Sequence, residues 1–263
     1  MVTLQLVELL AAALLGSALN ATAGGGSLVV LPALLSVGVS PILANATTTF
    51  ALWPGSIAGL LAYRKELLAD PAPKAALIVA SLLGAWVGAT LLMHTSDQRF
   101  MQIVPVLLLA AAVILTVGPY VQRWLAARKI YAGLPAWPAF PHYRIAVIAI
   151  AQFAISIYGG YFGGGMGIII FSVLTLSGRT HIHQLIAVRV LLSSVIHAVA
   201  VGRFIYANSI AWDLAPLMVL ASVLGGFVAA RLARRLPAAW FRATVIIVSW
   251  GVTGYVCYRA LRA

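Results

Sequence analysis

Apolar residues along the chain gather into long blocks separated by short polar turns, and two blocks are interrupted by glycines. The block lengths predict helices over 2–23, 42–63, 74–93 and 101–125, then over 143–162, 182–207, 211–231 and 238–260. About 20 residues cross a hydrocarbon core, so these blocks read as membrane spans. Two shorter apolar pieces, 27–39 and 166–177, each follow a glycine cluster. Between the two sets lies AARKIYAGLPAWPAFP, a Pro-rich, basic stretch that reads as a linker.

The two sets repeat. ATAGGGSLVVLPALLSVG, at 21–38, is echoed by YFGGGMGIIIFSVLTLSG at 161–178. The offset is 139 residues between Gly24 and Gly163, and 137 between positions 74 and 211 and between 101 and 238. This predicts a first transmembrane repeat at 1–125, a linker at 126–142 and a second repeat at 143–263.

Charge orients the repeats. If each glycine cluster is the tip of a hairpin whose arms enter and leave on one face, one face collects the Lys and Arg residues of 64–74, 123–144, 179 and 231–242. The other receives only Arg99, Arg203, Arg259 and Arg262. That split, twelve to four, obeys the positive-inside bias better than the ten-to-six split of a first arm that crosses fully. Parity leaves open whether the arms cross or meet inside the membrane. The fold class expected is all-α: a polytopic helical membrane protein of two inverted repeats, each with a Gly-broken hairpin and a short half-helix. The basic face is expected to be cytoplasmic, in an inner-membrane, multi-pass protein.

Composition sharpens this picture. The apolar fraction is 63% and only 8% of residues are charged, too few to cover a water-facing surface. The Lys and Arg residues behind the net charge of +12 lie mostly in short loops between spans, so a nucleic-acid partner is rejected in favour of the lipid bilayer. Carboxylates are limited to Glu8, Glu66, Asp70, Asp97 and Asp213, all but Glu8 at or near span ends. A cation path normally needs intramembrane acids, which points to an anion or a neutral solute. Cys257 is the single cysteine, so no intrachain disulfide or Cys-ligated metal site can form, and no cofactor or metal is expected. His181 and His183 are a poor metal pair at i,i+2. MVTLQLVELLAAALLGSALNATA lacks a basic n-region and carries Glu8, which argues against a cleaved signal.

The glycines carry the chemistry. Irregular backbone survives in hydrocarbon only where it is buried or lines a cavity. Gly24, Gly25 and Gly26, with Gly163, Gly164 and Gly165, would let two short helices start inside the membrane, their free N–H groups facing an anion. Tight packing of small residues is the competing reading. The span after the first piece puts Asn45, Thr48, Thr49, Leu52, Ser56 and Gly59 on one face, either lining a path or bonding back to their own helix. Pro54 should kink it. In the equivalent span Arg189, Ser193 and His197 follow at i, i+4 and i+8. An arginine there needs protein, water or a bound anion for company, unless it snorkels to the basic face. His197 is a proton-coupling candidate or a satisfied core histidine. No nucleophile motif or phosphate loop is present, so an enzyme is not expected.

The segment GGGSLVVLPALLSVGVSPILANATTTFALWPGSIAGLLAYRKEL and its counterpart GGYFGGGMGIIIFSVLTLSGRTHIHQLIAVRVLLSSVIHAVAVGRF together resemble the sulfite exporter TauE/SafE family, over about residues 5–260. Matching positions are Gly24, Gly25, Gly26, Pro32, Pro41, Ala44, Asn45 and Thr47, then Gly163, Gly164, Gly165, Gly178, Ala187 and Ser193. Phe171 stands where the second repeat often has Pro, and the turn at His181 and His183 is longer than its mate. The resemblance implies export of small sulfur-containing anions such as sulfite or sulfonates. A proton-independent uniporter or channel, or a membrane assembly partner, stays open, as does a homodimer.

Overall fold

A computed structural model of the chain describes residues 2–22, 24–69, 74–127, 142–175 and 182–232, with isolated positions from 246 to 254. The linker, Gly178, His181, Cys257 and all but those few positions of the final span therefore lie outside the described residues. Within them the helices are α1 (Val2–Thr22), α2 (Ser27–Ser36), α3 (Pro41–Ala62), α4 (Arg64–Ala69), α5 (Lys74–Met93), α6 (Asp97–Ala127), α7 (His142–Tyr161), α8 (Met166–Thr175), α9 (Ile182–Tyr206) and α10 (Ala215–Leu232). Lys74–Met93, Asp97–Gly118 and Gln184–Tyr206 are long and apolar enough to cross a membrane.

Most differences from the expected bounds have local causes. α6 starts at Asp97 rather than 101, because the Ser96 hydroxyl accepts from Arg99 N–H at 3.4 Å and Asp97 complements the helix dipole. α2 stops at Ser36 rather than 39. There Gly38 N–H donates to Leu35 O and Val39 N–H to Leu34 O, the paired bonds that close a helix around a left-handed glycine. α10 starts at Ala215 rather than 211 because turn bonds such as Leu214 N–H to Ala211 O occupy the intervening residues. α4 was not expected, since RKELLA is too short and charged to show a period. Pro54 lies inside α3, whose helical residues continue past it to Ala62.

The contacts give the helix directions. Gln152 of α7 donates to Ser81 of α5 at 2.9 Å, and further along Gly88 lies against Ile157, so α5 and α7 run parallel. Ser222 of α10 donates to Ala13 O of α1 and Gly226 sits on Ser17, so α10 and α1 also run parallel. α3 and α9 cross antiparallel: Ser56 meets His197, while Thr47, near the start of α3, accepts from Ala211 N–H, beyond the end of α9. α5 rests on α7 and α9, and α10 on α1 and α3. α1, α3, α6 and α10 thus point one way and α5, α7 and α9 the other. Arg64, Lys65, Lys74 and Arg231 gather at one end of the bundle, with Arg99 and Arg203 at the other.

Small residues set the helix spacing. α5 buries Leu77, Ala80, Ser81, Gly84, Ala85, Gly88, Ala89 and Leu92, a stripe at three-to-four spacing. It turns Val79, Leu83 and Trp86 outward. That is the membrane arrangement, small groups inward and large apolar groups toward lipid. A methyl at Gly88 would collide with the Ile157 carbonyl oxygen, which is backbone and cannot rotate away. Gly88→Ala should therefore cost about 1–3 kcal/mol as an overpacked contact. The check is thermal unfolding in detergent; an unchanged melting temperature would show that α5 and α7 are not this close.

Candidate functional site

The glycine clusters turn the chain back on itself. α1 and α2 form an antiparallel hairpin, closed by Gly26 against Gly16 at the tip and by the Ser36 hydroxyl donating to Glu8 Oε1 at 3.0 Å at its open end. α7 and α8 form the second hairpin, with Met166 folded over Gly159. The reversals need left-handed backbone: φ is +78° at Gly24, +79° at Gly163 and +74° at Gly165. The two hairpins point at each other and touch. Gly165 N–H donates to Gly24 O at 3.2 Å, and a β-carbon on Gly24 would come within 3.1 Å of Gly167 Cα.

At 10 residues each, α2 and α8 are about 15 Å long, half the hydrocarbon thickness. The tips lie within the bundle, with Gly165 against Ala111 of α6. The sequence left open whether the arms cross or meet; the tips of the two hairpins are in contact.

This junction is buried and rich in donors. Among the described residues no backbone carbonyl accepts from the N–H groups of Gly25, Gly26, Gly164 or Gly167, all of them buried. The N-termini of α2 and α8 add partial positive charge. Arg189 supplies a full one: a β-carbon on Gly167 would lie 3.7 Å from its Nη1 and 3.8 Å from its Cζ. Its Nε is buried without a hydrogen-bond partner. The guanidinium is thus turned into the junction rather than out along the helix. The Tyr158 hydroxyl donates to Gly164 O and ties the second turn to α7.

The other expected residues divide by what they touch. Asn45 Nδ2 donates to Tyr161 O at 3.0 Å, so the first half of the chain holds the last carbonyl of α7, while Asn45 Oδ1 is buried and free. Thr47 Oγ1 accepts from Ala211 N–H at 2.9 Å, and Thr49 bonds back to Asn45 O at 3.0 Å. Thr48 Oγ1 is buried without a partner. Ser193 is half-buried, whereas the neighbouring Ser194 carries the buried, unpartnered hydroxyl. His197 Nδ1 lies 3.4 Å from Ser56 Oγ, which also receives Asn20 Nδ2 at 3.4 Å. Its other nitrogen faces the second turn, 3.9 Å from where a β-carbon on Gly163 would sit. Asn20 was missed by sequence reasoning; its signal was an amide in an apolar helix four residues before Gly24.

Such a bundle, apolar outside and polar around two opposed glycine turns, is that of a helical membrane protein. The family model described as "Sulfite exporter TauE/SafE" matches residues 9–256, and the chain belongs to that family. It is therefore a membrane transporter. It is similar to "Probable membrane transporter protein YfcA" of Escherichia coli (strain K12), 25% identical over 94% of this chain and 87% of that protein. A "Probable membrane transporter protein" of Haemophilus influenzae is 22% identical over 92% of this chain and 90% of its own length. "Probable membrane transporter protein ORF9" of Sinorhizobium sp is 24% identical over 93% and 89%. No solved structure matches the chain.

Proposed function

We propose that the protein is a secondary transporter that exports small sulfur-containing oxyanions, such as sulfite or a sulfonate, across the cytoplasmic membrane. The observation that carries this reading is Arg189, whose guanidinium lies against the start of α8 with its Nε buried and unpaired. Arg189 is half-buried, and its buried Nε lacks an acceptor; leaving such a group unsatisfied costs free energy, and a small anion between the two glycine turns would relieve that cost. The free N–H groups at both helix starts would hold its oxygens, with Asn45 and Thr48 as neutral partners. The family's description supports a sulfur oxyanion as cargo.

The helix directions support an inverted repeat of 1–125 and 143–263, joined by 126–142. On that reading α1, α3 and α5 correspond to α7, α9 and α10, and each corresponding pair runs in opposite senses. An inverted pair of hairpins meeting at one site suits alternating access, because either repeat can rock against the other. The basic end of the bundle would face the cytoplasm.

Thermal unfolding of purified protein with sulfite, sulfate, methanesulfonate, acetate, chloride, a cation series and neutral solutes tests the substrate class. Anions alone should stabilise, by about 2.7 kcal/mol at a hundredfold excess over Kd. Stabilisation by cations or neutral solutes only would overturn the reading. Flux into liposomes with and without a pH gradient separates a coupled carrier from a uniporter.

A further inference from the structure

We infer that His197 sets the charge of the anion the site accepts: with the imidazole neutral the site takes a monoanion, and with it protonated a dianion, one proton entering with each dianion. This rests on the anion-transporter reading above. His197 is 4% exposed, so its proton state is set inside the bundle. Its Nε2 faces the Gly163 turn, while Arg189 lies against Gly167 four residues further on. Two groups able to carry positive charge therefore flank one turn, but only Arg189 carries it at all times.

Among the described residues the surroundings offer no substitute cation. Of the helices packed on α9, α3 and α8 hold no titratable side chain, and α5 holds only Lys74, its first residue. α4 has Arg64, Lys65 and Glu66 at the end of the bundle, Glu66 with a buried, unpartnered Oε2, and Tyr63 just before it interacts with Arg189; none of these brings a cation to the Gly163 turn. Beyond its first turn α7 brings only Tyr158, which donates to Gly164 O, and Tyr161, its last residue. A dianion beside Arg189 alone would leave one uncompensated charge in a low-dielectric interior, at a cost of several kcal/mol. Protonation of His197 cancels it.

The hydrogen bonds accommodate both states. With the ring neutral, the Ser56 hydroxyl can donate to Nδ1. With the ring protonated, Nδ1–H donates to Ser56 Oγ, whose hydroxyl turns to Leu52 O at 3.5 Å, and Nε2–H is directed at the turn. Asn20 holds Ser56 in place from the first hairpin. The proton comes from solvent with the dianion and leaves with it, so no other reactant is needed.

Sulfate and methanesulfonate are fixed dianion and fixed monoanion over the range in which imidazole titrates. Calorimetric titration of the whole protein, in two buffers of different ionisation enthalpy, counts the protons taken up with each. The expected result is one proton per sulfate and none per methanesulfonate, with sulfate binding weakening about tenfold per pH unit on the alkaline side. In His197→Gln the ratio of methanesulfonate to sulfate affinity should rise at least about tenfold and lose its pH dependence. Equal proton uptake with both anions, or a sulfate pH dependence that survives in His197→Gln, overturns the inference. If that variant does not fold, the wild-type proton counts decide alone. Failure of both anions to bind the wild type would instead overturn the anion site itself.

Discussion

Replacing Arg189 with methionine should weaken anion binding about 10- to 100-fold and, in the absence of any anion, raise thermal stability. Both effects follow from one observation, the buried Nε with no acceptor. Hydrogen bonds to charged groups are worth about 1.5–3 kcal/mol, which fixes the expected loss of affinity. The stability gain has the opposite sign because the ligand-free protein leaves the Arg189 Nε buried without an acceptor. Exchanging buried ionic groups for apolar ones of similar volume commonly stabilises by about 1–4 kcal/mol. Arg189→Lys keeps the charge but loses the planar fork, so it should fall between the two in affinity. A purely structural arginine predicts the reverse signature, with Arg189→Met lowering stability and leaving anion binding alone. Melting curves with and without methanesulfonate read both quantities in one experiment.

The two hairpins were legible in the sequence because three consecutive glycines violate the composition of an apolar helix, and do so twice at a matching offset. The stripe from Asn45 to Ser56 was legible as a face but not as a set of roles. Helical spacing says which side chains point together, not which find partners. Only the fold brings Ala211 to Thr47 and Tyr161 to Asn45, contacts spanning 164 and 116 residues. Asn20, Ser56 and His197 likewise belong to three helices, and no local pattern could have joined them. Ser193 and Ser194 illustrate a finer limit: adjacent serines sit about 100° apart on a helix, and the hydroxyl that ends up buried and unpaired is the one off the Arg189–His197 stripe. The helix ends at Asp97 and Ser36 depended on capping bonds, to which span hydropathy is blind.

Gly24→Ala should be more damaging than Gly165→Ala. Both positions are left-handed, φ +78° and +74°, which costs an L-residue about 1–2 kcal/mol. At Gly165 the new methyl would meet Ala111 at 3.5 Å, an ordinary contact, so backbone strain is the whole penalty. At Gly24 it would sit 3.1 Å from Gly167 Cα, backbone against backbone, adding an overpacking cost of about 1–3 kcal/mol. The sum is a large share of the roughly 5–15 kcal/mol that holds a folded domain together. The collision also pushes apart the two helix starts that would share the anion, so flux should fall further than folded yield. Gly202→Ala, where a β-carbon meets nothing within 4 Å, supplies the control and should match or slightly exceed wild type in stability. Melting temperature and liposome flux should therefore rank Gly202→Ala first, Gly165→Ala next and Gly24→Ala last. If Gly24→Ala behaved like Gly202→Ala in both, the hairpins would not meet tip to tip, and the anion would have no shared cradle between them.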